Sequence, residues 1–401
     1  MNQHSLTGEE RILVIVQGLF YFISSLASVF LSIYIFKLGG FVDVARFYFL
    51  SFLALLLAYN TSGFILSKKS SKDLIVSGLV TVTIFWTLLF FLKVRSIDYL
   101  NPLALILGTG QGLFWSGFNI SQYVATHDTS RIHYLSKSNA VNYFGRSIAP
   151  MLGGAIVSIS LIRYMDVIDG YSLLFLIVCV LFALTSFIAM RLPAHTGVTF
   201  SLRHLIKHKR SYTWKMVLVQ QFILGLFDTS FTTFAGILLF IIFSGEFKVG
   251  VYNSIIALGL GLTSVLAPRI LKKWQISPFP AGIVSGLSIL LFAYMINIWG
   301  AILLCVLSWI ATPFRDIPLM RAVLIGIDTN PDPWQVKYHM FLERDSVLGV
   351  ARVLSYAILY AAFAVWGKTE VAVQWLKAVA ILPVILGILI VLPNKESGWR
   401  K

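Results

Sequence analysis

A chain of 401 residues that is 58% hydrophobic and 12% charged is excluded from the ordinary soluble class, in which about a quarter of residues carry charge. The net charge of +15 would suit nucleic acid, but the lysines and arginines stand between long apolar blocks, so no nucleic-acid partner is expected. A mean hydropathy of +0.83 and charge-free stretches such as 12–36 and 74–92, each able to cross a ~30 Å hydrocarbon core, mark a polytopic membrane protein.

Twelve apolar blocks predict twelve membrane helices, at 12–36, 45–66, 74–92, 102–126, 139–162, 171–190, 214–243, 249–270, 278–298, 301–325, 346–366 and 374–393. The first is too long for a signal-peptide core and no small-residue cleavage site follows it, so it is expected to be retained. Along it Gln17, Tyr21, Ser24, Ser28 and Ser32 recur at helical spacing, as a polar stripe would. Such serines can equally bond back to their own backbone or glue helices together. The fourth block carries Gln111, Trp115, Asn119 and Gln122 on one face.

The fifth block contains FGRSIAPMLGG, which sets Arg146 and Pro150 among Gly145, Gly153 and Gly154. The proline withholds a backbone donor and bends the helix. The glycines leave a groove where a neighbouring backbone can approach. Arg146 lies about 10 Å in from Asn139 at ~1.5 Å per residue, which leaves two readings open: snorkelling to the interface, or facing a cavity.

After the sixth block comes the longest soluble stretch, a basic linker over 191–213 with one amphipathic turn expected near Leu202–Lys207. It divides the chain into six-helix bundles at 1–190 and 214–401. The seventh block offers Gln221, Asp228 and Thr232, and the tenth offers Ser308, Thr312, Arg315 and Asp316. Asp228 and Arg315 both fall near mid-membrane, where ionisable groups pair and mark ion or substrate pathways, so they are expected to form a proton-coupling ion pair. Asp316 points about 100° away from Arg315 and is expected to reach a neighbouring helix. The eleventh block echoes the fifth: LGVARVLS sets Arg352 where NYFGRSIA sets Arg146, each after a small residue. Phe20, Phe114, Phe118, Phe227, Phe231 and Phe234 crowd the same helices and serve either a lipophilic pocket or a core.

Of 32 lysines and arginines, 20 fall in segments on the side of the N-terminus and 8 on the other, which predicts both termini in the cytoplasm and insertion in the cell membrane. Cys179 and Cys305 lie inside apolar blocks and suggest no disulfide framework or metal cluster.

Six helices, a central loop and six more resemble the major facilitator superfamily. The resemblance sharpens in the fifth block, where Gly145, Ala149, Pro150, Gly153 and Gly154 are similar to the GxxxGPxxGG motif of its exporters, with alanine for one glycine. The family's loop motif GxxxDRxGRR survives only as GFILSKKSSK: Gly63, Lys68 and Lys72 fit, but Ser67 stands for the acid and Ser70 for a glycine. The stretches GTGQGLFWSGFN and ERDSVLGVARVL also look like a branch of this superfamily. The resemblance implies that blocks one, four, seven and ten line a cavity, that Gly145, Arg146, Pro150, Gly153, Gly154 and Arg352 serve gating and packing, and that a small organic solute leaves the cell in exchange for protons.

A nutrient importer, a lipid-linked glycan flippase and a membrane sensor that moves nothing are the competing functions. No Walker loop, HExxH or CxxC occurs in the chain, and its seven histidines are scattered, with His204 and His208 alone at helical spacing in the linker. Neither an enzyme nor a cofactor is expected. The expected partners are the solute, protons and membrane lipids, with the chain a monomer.

Overall fold

The computed structural model describes residues 6–126, 128–164, 167–201, 210–274, 277–367 and 369–392. No strand occurs among them, and eight of their helices are long and apolar enough to cross a membrane. Blocks one and two lie on a single element, α1 (Gly8–Leu66), whose 59 residues would measure about 88 Å if straight, far more than one crossing needs. It breaks at Gly40, where φ 72 and ψ −167 are open to glycine and strained for other residues. Thr7 and Glu10 close a reciprocal cap at its start.

Then follow α2 (Ser71–Leu92), α3 (Leu100–Ala125), α4 (Asp128–Tyr164) and α5 (Val167–Ala189). The second series is α6 (Tyr212–Phe243), α7 (Glu246–Trp274), α8 (Pro278–Tyr294), α9 (Ile298–Asp328), α10 (Trp334–Trp366), α11 (Thr369–Val379) and α12 (Leu382–Val391). The last apolar block is thus split, with the break just ahead of Pro383. Local chemistry fixes many of these ends. Ser211 caps α6, Asn297 caps α9 through Gly300 N at 3.0 Å, and left-handed Gly367 ends α10.

Helices α4 and α10 begin well before their apolar blocks. Hydropathy marks only the segment that suits lipid, whereas the backbone ladder runs on through polar turns. Glu343, Arg344 and Asp345 are therefore helical residues of α10, not loop residues.

Helix α1 packs on α3, α4 and α10; α2 on α3 and α5; α6 on α10; and α8 on α9 and α12. The α4–α7 and α1–α10 contacts join the first series to the second. Most of the aromatic residues on the expected cavity face turn out to be core: Phe20 stacks on Phe114 at 4.1 Å, and Phe118, Phe227 and Phe234 are buried.

The described part of the linker runs as an extended strap beneath the helices. His195 pairs with Glu9 at 2.5 Å, and its carbonyl accepts from Ser71 N at 3.0 Å. Phe200 fills the notch left by Gly63, edge-on to Phe64 and stacked on the His339 ring of α10. Where the acid and glycine of the loop motif are missing, Ser70 caps α2 with Asp73 in return. The expected turn at Leu202–Lys207, with His204 and His208, lies outside the described residues.

Candidate functional site

The central polar constellation is built by α6 and α10. Asp228 sits at the middle of α6, and Arg352 of α10 approaches it with Nη2 2.5 Å from Oδ2 and Nε 3.3 Å from Oδ1. Two guanidinium nitrogens on two carboxylate oxygens make a bidentate pair, which fixes direction as well as charge. Gly225 permits it. A Cβ there would strike the Leu348 carbonyl and the Ala351 side chain, so only glycine lets α10 come this close. The opposite face of Arg352 meets the Phe52 ring of α1 at 5.5 Å, so one side chain touches both series of helices.

This corrects the expected pairing of Asp228 with Arg315. Arg315 is bonded to its neighbour Asp316 at 2.8 Å and lies over Phe227 at 5.4 Å. Phe227 and Asp228 point about 100° apart on α6, so a side chain packed on the first is turned from the second. Asp316 answers its own adjacent arginine instead of bridging to another helix.

Arg146, at the middle of α4, has the matching place in the first series. It lies 4.1 Å over the Tyr21 ring of α1, with Trp115 tilted beside that ring at 5.7 Å, and has no carboxylate partner among the described residues. Gly145 allows this approach, its open side facing Phe22.

Polar bridges flank the centre at both ends. Toward the linker, Asn119 Nδ2 donates to Tyr59 Oη at 3.0 Å and to Asp345 Oδ2 at 3.1 Å. Beside it Ser346 donates to Asn60 at 2.7 Å, the Ser62 and Tyr338 hydroxyls meet at 2.9 Å, and Lys337 donates to Tyr123 at 3.1 Å. At the far end Lys37 pairs with buried Glu246, which also accepts from Tyr171 at 3.1 Å, while Phe41 stacks on Phe363 at 5.2 Å. Arg146 and Arg352 thus lie between polar bridges at either end.

The glycine-proline stretch of α4 forms part of the far seal. A Cβ on Gly153 would strike the Leu26 carbonyl of α1, and one on Gly154 the Glu246 carbonyl and Phe247 of α7. Gly250 of α7 lies in turn against the Pro150 carbonyl, and Ser254 accepts from Met151 N at 3.0 Å.

Other expected residues scatter. Gln17 is buried and accepts from Ser138 of α4, so it joins two helices. Gln221 is buried, and Thr232 is exposed and bonds back to the Asp228 and Thr229 carbonyls. Gln111 and Thr312 are half-buried without a described partner. Sequence reasoning missed Tyr59, Asp345, Lys37 and Glu246. Asp345 carried a signal, since an acid immediately before an intramembrane block and next to Arg344 belongs to a helix if the block is extended by one turn.

No family model matches this chain. It is 21% identical over 265 residues to the uncharacterized protein YqgE of Bacillus subtilis (strain 168), covering 65% of this chain and 60% of that one. The match therefore spans less than two thirds of that relative. An uncharacterized protein in the sodM 3' region of Geobacillus stearothermophilus is 27% identical over 161 residues, covering 38% of this chain and 75% of that one. Among solved structures, the Escherichia coli fucose:proton symporter FucP superposes with a TM-score of 0.63 at 15% identity, covering 95% of this chain and 98% of that one. The nucleoside transporter NupG gives 0.66 at 14% identity, with 97% and 100% covered. A POT family transporter in complex with 5-aminolevulinic acid gives 0.70 at 12% identity, with 96% of each covered. The all-α fold is accordingly that of the major facilitator superfamily transporters.

Proposed function

We propose that the protein is a secondary transporter that moves a small organic solute by alternating access, exporting it in exchange for protons. The observation that carries this reading is the bidentate Asp228–Arg352 pair, enclosed between the Asn119–Asp345 bridge and the Lys37–Glu246 bridge. An intramembrane carboxylate held by a counter-charge releases or takes a proton as its surroundings change, and bridges at both ends are what an alternating gate must break one at a time. Twelve crossings in two sets of six, joined by the linker and with both termini in the cytoplasm, complete the proposal. The seam of α4 on α7 supports export, because Gly153, Gly154 and the Pro150 carbonyl, residues of the exporter-like stretch, pack closely on α1 and α7 there.

The charge balance supports an anionic group on the solute. Arg352 and Arg315 each have a carboxylate, whereas among the described residues Arg146 meets the π-face of Tyr21 and no carboxylate. A cation held by a ring alone keeps its capacity for a carboxylate or phosphate.

The test is flux in proteoliposomes loaded with a pH-sensitive dye and presented with a panel of organic anions under an imposed pH gradient. The wild type should move protons only in the presence of an accepted solute. Solute-dependent proton flux that is equally fast in Asp228→Asn would exclude that residue as carrier.

A further inference from the structure

The turn where α10 gives way to α11 opens onto a crevice of about 670 Å³, set apart from the Asp228–Arg352 pair. It is an open groove whose lining runs back along both helices. At the mouth stand Trp366, the last residue of α10 and 64% exposed, and Glu370, in the first turn of α11. One turn along α11 lie exposed Gln374 and half-buried Trp375, and a further turn on are exposed Ala378 and, across from it on α10, buried Leu359. The Trp375 indole N–H is already engaged, donating to Ser230 Oγ of α6 at 3.1 Å, so that residue offers the crevice an apolar ring. Glu370 has no ion pair or hydrogen bond among the described residues and faces out of the bundle.

A carboxylate beside an indole is the chemistry that holds an ammonium group, through charge and through the ring quadrupole. The apolar groove that continues from it along α10 and α11 suits a hydrocarbon tail. The mouth is also at the right depth. It lies where a membrane-crossing helix ends, the level at which tryptophans and lipid headgroups meet, and beside it Val365 is 73% exposed. The crevice opens sideways along that apolar surface, so its occupant arrives within the bilayer. The central site, with its surplus arginine, is unsuited to a cation, which separates the two.

We propose that the α10–α11 crevice binds an aminophospholipid, with its ammonium group between Glu370 and Trp366 and one acyl chain descending past Trp375 toward Leu359 and Ala378. The site holds whether or not the central pair carries protons. Its occupant splints α11 against α10, and through Trp375 and Ser230 it bears on the helix that carries Asp228.

The experiment is native mass spectrometry of the full-length, delipidated protein titrated with phosphatidylethanolamine, with phosphatidylglycerol and with free ethanolamine. Phosphatidylethanolamine should be retained in preference to phosphatidylglycerol. Glu370→Gln and Trp366→Leu should each weaken its binding by about two- to fivefold while leaving phosphatidylglycerol unchanged. Both positions are exposed, so the variants should fold, and matched thermal unfolding of the delipidated proteins confirms it. Equal retention of the two lipids by the wild type, or undiminished phosphatidylethanolamine binding by Glu370→Gln, overturns the proposal. Competition by free ethanolamine as strong as by the lipid overturns it too, since the site would then read a soluble amine.

Discussion

Arg146 and Arg352 occupy the same place in two helix pairs and meet different chemistry. Each follows a small residue on a long helix, and each reaches the first helix of its own series. On α6 the partner supplies a carboxylate, and the guanidinium is neutralised; on α1 it supplies the Tyr21 ring, and the charge is kept. The geometry of approach is shared and the electrostatics are not. Under the proposed function, one scaffold contact serves two uses: a closed ion pair that carries a proton and an open cation that meets a solute.

The harshest way to break this comparison is to make the closed side open. Asp228→Ala strands Arg352, and stability in detergent should fall by up to about 3–5 kcal/mol, read by chemical unfolding. Asp228→Asn keeps the shape, should unfold near the wild type, and should lose gradient-driven flux while solute exchange persists. Adding Arg352→Gln to Asp228→Ala should restore stability without restoring coupling. Stability that stayed low in the double variant would show that the pair is not the reason for the loss.

Next in size is the seal that both arginines depend on. Gly153→Leu and Gly154→Leu put bulk against backbone, at a cost of about 1–3 kcal/mol each, and should slow flux. Normal flux in both would remove the α4–α7 seam from the gate.

The open side should be mild in stability and marked in binding. Arg146→Gln gives up about 0.5–1 kcal/mol of ring contact, yet should raise the concentration of anionic solute needed for half-maximal flux. If the affinity is untouched, Arg146 is a packing residue. Smallest is Lys37→Arg at the far end, which keeps a cation opposite buried Glu246 and should shift stability by no more than about 1 kcal/mol, with opening unchanged in single-molecule distance measurements.

The fold was legible in the sequence because lipid imposes length and apolarity on each crossing, and the blocks record both. The break at Gly40 falls in the gap between blocks one and two, but others were not legible: Pro383 interrupts a block whose composition barely changes, and the polar starts of α4 and α10 lie where hydropathy ends. For the site, spacing isolated Asp228, Arg146 and Arg352 one by one, since an ionisable residue in an apolar block stands out. Choosing Arg315 as the partner failed because depth along a helix was known and direction around it was not. A rotation of about 100° between Phe227 and Asp228 decided the matter.

The strap under the helices carries a consequence for observation. Its Ser201 amide donates to His339 Nε2 at 3.1 Å, while Phe200 is wedged between Phe64 of α1 and the His339 ring of α10. Parting α1 from α10 at this end must pull that wedge, and the amide then loses its acceptor to water. If the protein alternates as proposed, deuterium uptake at Ser201 keeps time with opening toward the linker, and a solute that holds it shut there slows that one clock.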